Sequence, residues 1–307
     1  MDARPPARTA PGGALRHRRF AVFWLGLLTA HTGVWMQTVG QGWLVYRLTN
    51  TPVWLGITAL AFALPTIAVP LASGALADRT DRLALVRAAQ VFSAVAVGGL
   101  ALLTYLGVVQ AWHVAAYTLL QGLSLALEGP ARHAVIPSLV DRDSLLGAVS
   151  LSQSSYQIGG FIGPALAGVL LGVFGTERLY LLFAANACAF LVFAAAITVV
   201  RASLDAPVAG PAPASSVVEG LRYVWSRDAL RALLLLVTVV AVFGRSYVTL
   251  LPVFARDVLH GDASAYGVLM AASGLGALVG AILVSGLGSY ERKGLLLLVV
   301  TAIFGAS

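Results

Sequence analysis

The sequence is poor in cysteine, in charge and in acidic side chains. Its 307 residues include one cysteine, Cys188, set inside an apolar run. A disulfide within the chain, a cysteine-based metal site and a dithiol redox pair are therefore excluded. Charged residues make up 11% of the chain and hydrophobic residues 59%, against roughly 25% charged in soluble domains. That balance excludes an ordinary soluble domain. The net charge of +7 raises nucleic acid as a partner. No basic stripe interleaved with aromatics is present, and the arginines sit between apolar runs, so no nucleic acid is expected. None of the 13 acidic residues lies at the middle of an apolar run. Enzymatic signatures are missing too: there is no HExxH, no GxGD with a second membrane aspartate and no Walker loop. Ser273-Gly274 has Ala271 where a GxSG motif needs its first glycine. The chain does not read as an enzyme, and no cofactor or metal is implied.

What is present is a succession of nine apolar runs, most of them about 20 residues or longer, the length that crosses a hydrocarbon core. They lie near 20–46, 54–76, 84–106, 111–130, 146–173, 179–200, 232–254 and 264–286, with a ninth from about 295. The fold class is thus an all-α polytopic membrane protein. Residues 1–15, rich in Pro, Arg, Ala and Gly, read as a disordered cytoplasmic tail. Arg16-His17-Arg18-Arg19 before Phe20–Ala30 resembles a signal peptide. No clean small-x-small cleavage site follows, so this run reads as an uncleaved first span. Residues 16–200 form a six-span N-terminal half. Residues 201–231 form a linker ending in an interfacial helix, and 232–307 an incomplete second half. With the N-terminus inside, the outer segments hold only Arg47, Arg178 and Arg256. Shifting the frame by one span inverts the bias, so the cytoplasmic N-terminus follows the positive-inside rule.

A weak repeat supports the division. Trp54-Leu55-Gly56 resembles Ala265-Tyr266-Gly267, and Ser73-Gly74 resembles Ser285-Gly286, each ahead of a short basic loop. Parallel six-span repeats predict a bundle of twelve spans and about 410 residues, of which roughly nine spans are present. The chain then reads as a fragment or a shortened gene product.

The stretch Ser73-Gly74-Ala75-Leu76-Ala77-Asp78-Arg79-Thr80-Asp81-Arg82 joins the second and third runs as a charged hairpin that must face water. It resembles the G-x-L-A-D-R-x-G-R signature of the major facilitator superfamily through Gly74, Leu76, Ala77, Asp78, Arg79 and Arg82. Asp81 departs where many members carry glycine. Glu128-Gly129-Pro130-Ala131-Arg132 and its continuation to Val140 resemble the loop after the fourth span in a bacterial exporter branch. That branch contains enterobactin-type siderophore exporters and macrolide-efflux-like permeases. In the fifth run, Gly159, Gly163, Pro164 and Gly168 resemble the G-x-x-x-G-P-x-x-G-G exporter pattern, and Gly159/Gly163 have GxxxG spacing. Generic small-residue packing is the alternative. The resemblance implies spans 5 and 8 meeting across the two halves.

Polar residues inside the runs are functional candidates, because burying them in lipid is costly. Tyr117, Gln121, Ser124 and Glu128 fall at i, i+4, i+7 and i+11, one helical face. His31, Trp35 and Thr38 repeat that spacing in the first run, with Gln41 beside them. Thr238, Arg245 and Thr249 share a face in the seventh. The family lines its cavity with such spans, so these residues are expected to line one; bonding across helices is the alternative. His31 lies roughly 16 Å into its span by helical rise. It is either a proton-coupling group or a neutral histidine bonded to span 4. Arg245 either attracts an anionic solute or reaches the outer headgroups. The resemblance places Gly74, Asp78, Arg79, Arg82 and Glu128 at a conformational switch, with an Arg82–Glu128 ion pair in the outward-open state. It implies a monomeric permease of the bacterial inner membrane that exports a small amphipathic drug, macrolide or siderophore, with H+ as coupling ion. A truncated remnant without transport is the second reading.

Overall fold

The computed structural model describes residues 11–72, 81–203, 222–223, 225–244, 246–286, 299–303 and 305. Among them the regular structure is entirely helical. Nine long elements are α1 (Arg18–Thr49), α2 (Val53–Ala72), α3 (Arg82–Tyr105), α4 (Ala111–Val135), α5 (Leu145–Phe174), α6 (Tyr180–Ala202), α7 (Asp228–Gly244), α8 (Ser246–Val253) and α9 (Ala263–Gly286). A π-turn, Phe254–Val258, follows α8. Four helical stretches are long and apolar enough to cross a membrane by length and composition: Arg82–Tyr105, Arg142–Phe174, Thr176–Ala202 and Ala263–Leu283.

Each helix follows from its apolar run, and its ends follow from local chemistry. Asn50 stops α1 in the left-handed region, φ 51°, which asparagine tolerates better than most residues. Asp81 caps α3 by accepting a hydrogen bond from the Leu83 amide at 3.1 Å. It also pairs with Arg201 of α6 at 2.7 Å. The residue that departs from the superfamily signature thus fixes the start of α3 and ties it to α6.

Three sequence expectations need correction. Residues 11–15, expected in a disordered tail, belong to a 3-10 turn, Pro11–Arg16, with Ala14 buried in the core. The fourth span does not give way to a loop at Pro130. α4 runs on to Val135, because the side chain of Arg132 in that last turn finds partners inside the bundle. The start of the seventh span lies at Asp228, inside the stretch read as an interfacial helix. The rest of the 201–231 linker, the 74–79 switch loop and Arg245 are largely or wholly outside the described residues.

The helices form a curved series in which α9 packs on α5, α5 on α1, α1 on α6, α6 on α3, α3 on α4 and α4 on α2. α8 touches α1, α2 and α9, closing the series into a ring. Close packing comes from missing side chains. Gly26, Gly33 and Gly40 of α1 all face α6; an added Cβ would stand 2.8 Å from Ala196 Cβ, 2.8 Å from Ala189 Cβ and 2.9 Å from Leu182 Cδ1. α1 to α6 alternate in direction, and α9 starts beside the end of α5, where Gly172 meets Ser264, and runs back along it to Gly160. The bundle therefore has one face carrying the start of α1, Asp81, Arg201 and the end of α9, and an opposite face carrying Asn50, Arg178 and Arg256.

Candidate functional site

Inside the ring is a cavity of about 230 Å³. Its walls come from α1 (Trp35, Thr38, Gln41), α2 (Thr58, Phe62), α4 (Thr118, Gln121), α5 (Tyr156), α8 (Thr249, Pro252) and α9 (Tyr266). Aromatic rings, hydroxyls and amides line it; no charged side chain does, among the described residues. Three of its four threonine hydroxyls are engaged with their own helix, among them Thr38, which donates to Val34 O at 2.8 Å, and Thr118, which donates to Val114 O at 2.6 Å. The Trp35 indole N–H is buried without an acceptor. A wall of amides, hydroxyls and rings suits an amphipathic solute.

Behind this wall lies a buried polar network. The Gln37 side-chain carbonyl accepts from the Tyr117 hydroxyl at 2.7 Å and from the Asn186 amide of α6. Gln37 in turn donates to Gln41 at 3.1 Å. Ser93 of α3 donates to Ser124 at 2.8 Å. Nearer the N-terminal face, Glu128 accepts from Gln90 of α3 and stands 3.7 Å from Arg132 Nε. Arg132 Nη1 reaches His31 Nε2 at 2.9 Å, and His31 Nδ1 meets Ser155 Oγ of α5 at 2.9 Å. Arginine only donates. His31 Nε2 is therefore the acceptor, Nδ1 carries the proton, and the ring is the neutral tautomer. Tyr156 stacks edge-on against His31, centroids 5.3 Å apart, and tilts over Trp35 at 5.2 Å.

The seam between α1–α6 and α8–α9 is unequal along its length. At the opposite face, Tyr46 donates to Asp257, Arg256 donates to Asn50 Oδ1 at 2.8 Å, and the Arg256 guanidinium lies 5.3 Å from the Tyr46 ring centroid. Trp43 stacks near Tyr266 just below. There α5 and α9 meet backbone to backbone: a Cβ on Gly267 would sit 2.6 Å from Gly168 Cα, and one on Gly274 would run into the Gly160 carbonyl. Gly276 and Gly280 have nothing within 4 Å of a built Cβ, and Leu283 is 63% exposed.

The structure thus divides the predicted residues. It gathers Trp35, Thr38, Gln41 and Gln121 at the cavity, with Thr249. Tyr117 and Ser124 point instead into helix–helix contacts, because α4 is packed on both α2 and α3. Glu128 pairs with Arg132 of its own helix, not with Arg82, in this conformation. His31 bonds span 4, through Arg132, beside a separate small cavity. Thr238 is exposed and bonded to Leu234 O. Gly159, Gly160 and Gly163 pack on α1, where a Cβ on Gly163 would lie 2.6 Å from Thr32 O; Gly168 and the carbonyls of Gly160 and Pro164 meet α9. Gly74, Asp78, Arg79 and Arg245 lie outside the described residues. Sequence reasoning missed Asn186, Tyr156 and Arg132. Arg132 stands four residues after Glu128, the spacing of a helical ion pair.

Comparison with known proteins gives the family. The chain is 29% identical to the staphyloferrin A transporter of Staphylococcus aureus over 252 residues, covering 80% of this chain and 62% of that protein. It is 26% identical to the multidrug efflux pump Tap of Mycolicibacterium fortuitum over 266 residues, covering 83% and 64%. It therefore spans a little over three-fifths of these relatives' length. Its fold is similar, at a TM-score of 0.66, to a bacterial homologue of the human lysosomal transporter Spinster solved inward-facing and unoccupied. That likeness, at 15% identity, covers 89% of this chain and 63% of the other, and shows the fold. Residues 9–306 match the family of transmembrane secretion effectors, and the chain belongs to that family of membrane transporters within the major facilitator superfamily.

Proposed function

We propose that the chain supplies the N-terminal half and the start of the C-terminal half of a secondary transporter. It exports a small amphipathic molecule, of the drug, macrolide or siderophore kind, across a bacterial inner membrane. The observation that carries the reading is the cavity of about 230 Å³, lined by no charged side chain among the described residues and clasped at the face opposite the start of α1. The arginine bias supports a cytoplasmic face at the start of α1, and with the opposite face clasped the conformation reads as inward-facing. Export then proceeds by parting the clasp while the cytoplasmic end of α9 closes on α5. The names of the relatives support the solute class. We assign the coupling ion as H+, with His31 as its site. A proton on His31 Nε2 would face the Arg132 guanidinium, two donors without an acceptor. Arg132 then turns fully to Glu128, and the α1–α4 contact is released.

The test is uptake of erythromycin or a fluorescent drug into inverted vesicles under an imposed proton gradient. We expect gradient-dependent uptake, lost in Gln121→Ala, and uncoupled from the gradient in His31→Gln. Absence of uptake for every solute of the three classes would remove the transport reading. Gradient-dependent uptake unchanged in His31→Gln would remove His31 as the proton site.

A further inference from the structure

The polar groups on the wall of the large cavity differ in how firmly they are set. Gln121, Thr249 and the Tyr266 hydroxyl make no hydrogen bond among the described residues, so each can turn a donor or an acceptor inward. Gln41 is held. Its Oε1 is turned back along α1 and accepts from Gln37 Nε2 at 3.1 Å. Its Nε2 is therefore the outer arm and has no partner among the described residues. Gln41 lines the cavity, and its Nε2 is not shut away as the Trp35 N–H is.

The two ends of an isolated glutamine amide have nearly the same shape, so the amide can turn over. Gln41 cannot turn alone, because its NH2 would then face the NH2 of Gln37. Gln37 cannot turn alone either. It is 1% exposed, and its Oε1 is filled by the Tyr117 hydroxyl and by Asn186 Nδ2. Asn186, 0% exposed, is set by what its other arm meets. Its Oδ1 has no hydrogen-bond partner and lies against Gly33 of α1, where a Cβ would stand 2.5 Å away. Glycine puts only a hydrogen in that direction, which an oxygen can accept as a weak Cα–H contact. An NH2 in that place would strand two donors, and buried N–H groups are orphaned more rarely than buried carbonyl oxygens. The direction of the chain thus runs from Gly33 through Asn186 and Gln37 to Gln41, and ends in an N–H at the cavity. Tyr117 follows that direction without fixing it, since a hydroxyl donates or accepts.

We propose that Gln41 is the specificity-determining donor for a carbonyl oxygen of the solute, and that Asn186 is the positioning residue that fixes its direction. The proposal rests on the reading of the large cavity as the solute site. It narrows the solute class to amphipathic molecules with an amide, ester or ketone oxygen beside an apolar body.

The test uses the full chain in lipid nanodiscs and three flat tricyclic molecules of similar shape. Fluorenone carries a carbonyl, carbazole carries an N–H, and fluorene carries neither. An apparent affinity for each is read from the saturable rise in Tm. Partition into lipid is common to all variants, so the ratio of each affinity to that of fluorene is compared between variants. We expect Gln41→Met, of similar length and without an amide, to lower the fluorenone ratio about fivefold, the order of one neutral hydrogen bond. The carbazole ratio and the binding of fluorene should stay as in the wild type. Asn186→Val should lower the fluorenone ratio and raise the carbazole ratio, because Gln37 and Gln41 can then turn over together. A merely structural role would move all three ligands alike, and that result would remove Asn186 from the proposal. Should Asn186→Val fail to fold, Gln41→Met decides. An unchanged fluorenone ratio in Gln41→Met, or a fall in the carbazole ratio instead, would overturn the proposal and leave the cavity as the solute site. If none of the three molecules stabilises the wild type, the cavity is not the solute site and both readings fall.

Discussion

The two halves of α9 pack differently against α5. From Ala263 to Gly274 the helix lies so close that no Cβ fits at Gly267 or Gly274. Gly276 and Gly280, on other sides of the same helix, have nothing within 4 Å of a built Cβ. Glycine content alone therefore does not mark a contact; the side of the helix does. The first half of α9 is also fastened by Tyr46–Asp257 and Arg256–Asn50 just beyond it. α5 repeats the lesson sideways. Gly159, Gly160 and Gly163 bind it to α1, within one half, while Gly168 faces α9 across the seam.

Substitutions can break this comparison. The largest effect is expected from Gly274→Val, whose branched side chain meets the α5 backbone. Overpacking of this kind costs about 1–3 kcal/mol. It should part the seam at the opposite face, read as loss of disulfide cross-linking between cysteines placed at Asn50 and Arg256. Next comes Tyr46→Phe. It leaves the ring in place and removes a hydrogen bond to an exposed carboxylate, worth about 0.5–1.5 kcal/mol. Its effect on a spin-label distance across the clasp should match that of Asp257→Asn, and the double variant should add little to either. Arg256→Ala, at an exposed position, should shift the same equilibrium by less, about 0.5–1 kcal/mol. Gly280→Ala should leave stability unchanged within about 0.5 kcal/mol in this conformation. It should, however, slow transport if that end of α9 closes on α5 during the cycle, measured as a lower uptake rate in vesicles.

The helices were legible in the sequence because lipid imposes a length and an apolar composition, and the four stretches that carry both each fall on an expected run. The side of the bundle on which a polar residue lies was less legible. Tyr117, Gln121, Ser124 and Glu128 share a stripe, yet only Gln121 reaches the cavity. α4 is packed on two neighbours, and a face about a quarter of its circumference wide meets both. The weak repeat was more informative than its two short matches suggested: Leu55 and Tyr266 hold equivalent places in it, and both border the cavity. The continuation of α4 past Pro130 was hidden, because nothing local announces that Arg132 meets His31 from 101 residues away. Asn186 was hidden for the same reason: a lone amide in an apolar run shows its partner, Gln37, only in three dimensions.

The most direct measurement is the labelling of Thr38→Cys, placed in a Cys188→Ser background, by a membrane-impermeant thiol reagent. It is applied separately to each face of the membrane. Labelling of the cavity cysteine from the N-terminal face, with protection from the opposite face, is what a seam clasped at the opposite face predicts. Faster labelling from the opposite face would contradict it.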